Sequence, residues 1–174
     1  ISEERRKKLD IVREWSLSKL NEEDQAFINS FQPTVMVELA GDKHLLAFHG
    51  SPTSFDQVLL PSTPEDEFQE ILKPYAGHIL TGGHTHLQFT RRLRDSQNFY
   101  FNPGSVGVAL NHEHTNEQNL LDPWAEYAIL TVEKFNTRLE FVRVILDMDK
   151  MAEIYRASDR PFADEMMDQY TSYK

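Results

Sequence analysis

Cysteine is absent from all 174 residues. That excludes disulfides, thiolate-held zinc and a cysteine nucleophile, so any metal has to be held by His, Asp, Glu or Asn. Apolar runs are only a few residues long. No segment can cross a bilayer as a helix, and no membrane contact is expected. The charged opening Glu3-Glu4-Arg5-Arg6-Lys7-Lys8 lacks the apolar stretch of a signal peptide, and a cytoplasmic location is expected. Basic residues are outnumbered: 18 Lys and Arg against 28 Asp and Glu give a net charge of −10. This opposes binding to a nucleic acid polymer, which needs a basic surface to displace counterions. It still permits a local cationic pocket for one phosphate. The first residue is Ile1, not Met, which predicts a natural start elsewhere.

What is present suits one compact domain over residues 1–174, with 40% hydrophobic and 26% charged residues. Residues 2–20 read as a charged amphipathic helix with Leu9, Val12 and Trp15 as its buried stripe. Asn21 caps a second helix that ends near Ser30. Thr34–Leu39 and His44–Phe48 predict a β-hairpin around Gly41-Asp42. Thr63-Pro64-Glu65-Asp66 predicts a helix start with Thr63 as the cap, burying Phe68, Ile71 and Leu72 until Pro74. Short strands follow at 78–81, 87–93 and 98–101. Residues 108–123 read as a long loop near the site. A second hairpin, 125–132 with 138–146, is apolar on both faces of its return strand, which predicts the middle of a layered fold. The chain ends in helix, so an α/β class is expected, with a sheet core covered by helices.

Two short stretches carry the chemistry. LLAFHGSP places His49 just past an apolar strand. ILTGGHTH places His84 and His86 just past another, after two glycines that allow a tight turn. In layered α/β folds, sites lie beyond the C-terminal ends of strands. Residues i and i+2 share a face in extended chain, so His84 and His86 can reach one centre or two neighbouring ones. Neutral imidazole suits Zn, Mn, Fe, Co and Ni. A third stretch, FNPGSVG, follows a strand. Asn102 bonds to nearby backbone in such a turn, and Ser105 with the loop N–H groups suits an anion.

The ordered set HGSP (49–52), GHTH (83–86) and NPGSVG (102–107) resembles the calcineurin-like metallophosphoesterase superfamily, and most closely its small prokaryotic phosphodiesterases. FQPTVMVEL, DPWAEYAILTVE and IYRASDRPF extend the resemblance over nearly the whole chain. It implies a four-layer α-β-β-α sandwich. It implies that His49 and His84 bind one divalent metal ion and His86 a second, with Mn, Fe, Zn, Co or Ni as candidates. The implied function is a metal-dependent phosphoesterase, a hydrolase attacking small nucleotide-like phosphodiesters or phosphomonoesters with a metal-activated hydroxide. Homodimers are common in this branch, so a homodimer is the implied oligomer.

The sequence also departs from the family. Its Asp-x-His, Gly-Asp and Gly-Asn motifs, which precede the HG motif, are not found. Gly41-Asp42 matches the second in letters but falls in a hairpin turn. No catalytic residue is therefore assigned in this chain, and the missing motifs and opening strands are expected upstream. Alone, the 174 residues are expected to be inactive and to expose a sheet edge. The alternative is a non-catalytic binding scaffold on the same fold, as in the retromer subunit, or an inactive fragment. Arg91, with Asn102 and Ser105, is the candidate for binding substrate phosphate. Arg92 and Arg94 also follow GHTH closely and suit the same role, while a solvated strand end next to Asp95 suits two of the three arginines at least as well. His112 and His114 read as loop residues.

Overall fold

The computed structural model describes residues 2–111 and 120–170. His112, His114 and the middle of the 108–123 loop lie outside the described residues. Helix α1 spans Glu3–Ser18 and α2 spans Glu22–Asn29. Each begins where a polar side chain takes an orphan N–H: Ser2 from Arg5, and Asn21 from Asp24 in a reciprocal capping box. No residue of α1 is fully buried; Val12 and Trp15 are partly sheltered as expected, and Leu9 is not. Leu9 is 51% exposed, and the sheltered positions are Lys8, Val12 and Trp15. Lys8 pairs with Glu165 and sits over the ring of Phe162.

Strands β1 (Thr34–Glu38) and β2 (His44–Phe48) form the expected hairpin. Gly41 and Asp42 both take positive φ, the pair of left-handed residues that a primed hairpin turn requires. Strands β3 (Ile79–Thr81), β4 (Gln88–Arg92) and β5 (Phe99–Pro103) complete a sheet of order β1-β2-β3-β5-β4. Strands β2, β3 and β5 run parallel, while β1 and β4 are antiparallel edges. Helix α3 (Glu65–Leu72) lies on one face. It begins one residue later than expected, with Pro64 in the cap position. The hydroxyl of Thr63 instead accepts the N–H of Leu60.

The core follows from strand alternation. Leu46, Leu80, Phe89 and Tyr100 point to the face covered by Phe68 and Leu72 of α3. Burying each such side chain contributes about 1.5–3 kcal/mol. The opposite face presents Thr90, Arg92, Phe99 and Phe101, which share it by register. Strands β6 (Trp124–Val132) and β7 (Thr137–Ile145) form the second hairpin and face that side. Helix α3, the five-stranded sheet and this hairpin therefore stack in the α-β-β order of the expected sandwich. Helices α4 (Met148–Ala157) and α5 (Ala163–Met167) follow.

Strand β7 does not occupy the middle of a layered fold. Among the described residues it pairs only with β6, and Ile145 is 83% exposed. Its two apolar faces exceed what one partner strand and one facing sheet can cover. Strand β1 is exposed in the same way. It pairs only with β2 among the described residues, and Val35, Met36 and Val37 are all exposed.

Candidate metal centre

Because β2 and β3 pair in parallel register, Leu45 with Ile79 through Ala47 with Thr81, their C-terminal ends lie side by side. His49 follows one end and Gly82-Gly83-His84 the other. The N–H of Gly83 donates to the carbonyl of His49 at 2.7 Å, which ties the two ends together. Gly82 is required by close packing: a Cβ there would sit 2.8 Å from both the Phe48 ring and the Tyr100 hydroxyl.

The result is a histidine pair. His84 Nδ1 lies 3.2 Å from His49 Nε2, with ring centroids 5.1 Å apart in an edge-on arrangement. His49 is exposed and His84 half-buried. The segment after the glycines is not extended, as a shared face for His84 and His86 would need. Both histidines take positive φ, 66° and 56°. Left-handed backbone in a non-glycine residue costs of order 1–3 kcal/mol and persists only where neighbours hold it. His86 consequently faces a different partner. Its Nδ1 lies 3.0 Å from the Val108 carbonyl. A carbonyl only accepts, so Nδ1 carries the proton and the lone pair sits on Nε2. Burial holds the pKa of His86 below its usual value. The Val108 bond works the other way, and nearby His84 and His49 lower it further. The ring is therefore disposed to stay neutral, the form in which imidazole binds a metal.

Asn102 is fully buried and braces this turn. Its Nδ2 donates to the Gly83 carbonyl at 2.8 Å and to Thr85 Oγ1 at 3.0 Å, while Oδ1 accepts the Gly104 N–H at 2.9 Å. One side chain thus joins the GHTH turn to the NPGS loop. Ser105 Oγ accepts the N–H of Val108, the residue whose carbonyl orients His86. The structure does not bring Arg91 to the histidines. Its guanidinium lies over the Phe68 ring and donates to the Thr63 carbonyl and to Glu65 at the start of α3. Sequence reasoning missed Thr85, Val108, Glu126 and Tyr170. Glu126 is 5% exposed and packs its carboxylate against Gly104. Tyr170 donates its hydroxyl to the Gly107 carbonyl. These partners are distant in sequence and carry no motif.

The donors present fit part of a metal site. Two imidazole nitrogens 3.2 Å apart have the spacing that both take when binding one ion at about 2.0–2.1 Å. Among the described residues, no group of three or more His, Asp or Glu side chains converges to hold an ion. Three imidazoles without a carboxylate do not offset the repulsion of two adjacent cations.

No protein-family model matches the chain, and no curated protein matches it in sequence. Solved structures do resemble it. A hypothetical protein from Pyrococcus horikoshii OT3 aligns with a TM-score of 0.67 at 18% identity, over 87% of this chain and 54% of that one. A metallophosphoesterase from Sphaerobacter thermophilus aligns with a TM-score of 0.66 at 18% identity, over 89% of this chain and 64% of that one. The chain thus spans less than two thirds of the length of either neighbour. Among the described residues, no helix is long and apolar enough to cross a membrane. With its histidines at the ends of parallel strands, the chain is built on the metallophosphoesterase fold.

Proposed function

We propose that this chain carries the histidine side of a metal-dependent phosphoesterase site acting on small nucleotide-like phosphodiesters or phosphomonoesters. The observation that supports it is the His49–His84 pair, held at 3.2 Å beyond two adjacent parallel strands. His49 and His84 would hold one divalent ion, and His86 would offer Nε2 to a second; Mn, Fe, Zn, Co and Ni all suit imidazole. Bound ions of this kind lower the pKa of water and stabilise charge on phosphoryl oxygens.

The chain's own residues orient and pre-set the ligands. The Gly83–His49 backbone bond and the Asn102 clamp fix the turn from which His84 projects. The Val108 carbonyl sets the tautomer of His86. Ser105 accepts a backbone N–H, which leaves its own hydroxyl proton free to donate to a phosphate oxygen. Asn102 acts on the ligands rather than on the substrate, since all of its bonds go to the two loops.

A bridging carboxylate has to come from outside the described residues, and we propose that these 174 residues alone do not hydrolyse phosphate esters. A scaffold function on the same fold is the second reading, favoured by that missing carboxylate. The test is calorimetric titration with manganese and zinc, run beside hydrolysis of bis-nitrophenyl phosphate. The expected result is cation binding that His84→Ala abolishes, with no hydrolysis above the metal-only background. Hydrolysis is expected to appear once an upstream segment with the Asp-x-His, Gly-Asp and Gly-Asn motifs is joined to the chain. Failure of the chain to bind either cation sinks the metal reading. Binding without hydrolysis in the joined protein favours the scaffold.

A further inference from the structure

A wide cleft lies away from the histidines, where the β4 edge of the five-stranded sheet faces β7. Its volume is about 680 Å³, inside the range of small-molecule sites, about 300–1,000 Å³. One wall carries Arg92 and Phe99, which are register partners and share a face. The other carries Thr137, Leu139 and Phe141 from β7.

Charge sets this cleft apart in a chain of net charge −10. No carboxylate is among its lining residues, while two arginines are. Arg91 and Arg94, on either side of Arg92, are spent on Glu65 and Asp66 of α3. Arg92 points to the other face of the sheet, beyond reach of those acids, and pairs with no acid among the described residues. A second cation stands at the rim, where Lys43 Nζ donates to Thr137 Oγ1 at 2.9 Å. An unpaired guanidinium beside two phenyl rings offers a planar donor fork and an apolar surface together.

We propose that this cleft binds a small organic anion with a flat aromatic body. The ring lies against Phe99 and Phe141, and the anionic group accepts from Arg92. The site is separate from the histidine pair and does not depend on its function.

The experiment is a fluorescence titration of the whole chain with anilinonaphthalenesulfonate, an aromatic anion, and with N-phenylnaphthylamine, its neutral counterpart. The wild-type protein is expected to bind the anion at one saturable site. Arg92→Gln is expected to weaken the anion about tenfold, the scale of a lost charge-assisted hydrogen bond. The same change should alter the neutral dye by less than about twofold, because the apolar contacts remain. Arg92 is exposed, so the variant is expected to fold, and circular dichroism checks this. The exposed β1 strand is the rival site for such dyes. A Val35→Ser, Val37→Ser double variant is therefore expected to leave anion binding unchanged. Equal anion affinity in wild type and R92Q overturns the proposal, and so does loss of the anion in the β1 variant.

Discussion

The buried amide of Asn102 donates to the carbonyl of Gly83 at 2.8 Å, across 19 residues of sequence. This bond and the one to Thr85 Oγ1 hold a turn in which two histidines have left-handed backbone. Asn102→Ala would strand the Gly83 carbonyl, the Thr85 hydroxyl and the Gly104 N–H. A destabilisation of about 2–4 kcal/mol is expected, measured by urea unfolding. Cation affinity should also fall about tenfold, as for loss of a group that orients metal ligands. Unchanged affinity in a folded variant would refute the bracing role.

The histidine pair predicts a graded response to substitution. His49→Ala and His84→Ala are each expected to abolish the first cation-binding event, because each removes one of two donors to one ion. His86→Ala should leave that event in place, since its imidazole faces Val108. Arg91→Gln should change neither, because its guanidinium is held at the start of α3. Cobalt absorption in the visible range reads all four variants.

Gly104 is fixed by contact. A Cβ on Gly104 would lie 2.1 Å from Glu126 Oε2, and the residue has φ of +88°. Gly104→Ala is expected to cost about 2–4 kcal/mol from the clash and the backbone strain together. Adding Glu126→Ala should recover only part of this, because the positive φ remains. The pair forms a double-mutant cycle by thermal unfolding, and strict additivity would show that the contact is unimportant.

Alkaline pH should loosen the end of the chain. Burial pushes the Tyr170 hydroxyl up to about 12 from 10.0, with Tyr155 adding to the rise. The folded state thus holds this proton more tightly than the unfolded state. Its stabilising effect is complete below pH 10 and is lost as the pH climbs towards 12. Tyr170→Phe is expected to flatten the stability profile in that window. The readout is urea midpoint against pH, and a profile as steep as wild type would contradict the assignment. Buried Tyr100 shifts the same way, so some slope should remain.

The β1 edge predicts self-association. Val35 is 51% exposed on a strand paired on one side only among the described residues. Val35→Lys is expected to reduce concentration-dependent association in light scattering without lowering the unfolding midpoint, as charged edge residues do elsewhere.

The order and type of nearly every described element are legible along the chain. Local chemistry decides these: the capping box at Asn21, the Gly41-Asp42 turn and the short apolar runs of β2 and β5. It also placed His49 and His84 beyond strand ends, because an apolar run followed by glycine and histidine marks such an end. What these residues meet follows from the packing of distant segments. The parallel pairing of β2 with β3 puts His49 against His84, although 35 residues separate them. The left-handed backbone at His84 and His86 turns the two rings to different partners, which spacing along an extended chain does not reveal. Nearness in sequence to GHTH suggests Arg91 as a phosphate ligand. The alternation of β4 instead sends it to α3 and leaves Arg92 on the opposite face. Lys8 of α1 likewise finds its partner, Glu165, 157 residues away. Local pattern fixes which face of a segment is apolar, but only the packed chain fixes what that face touches.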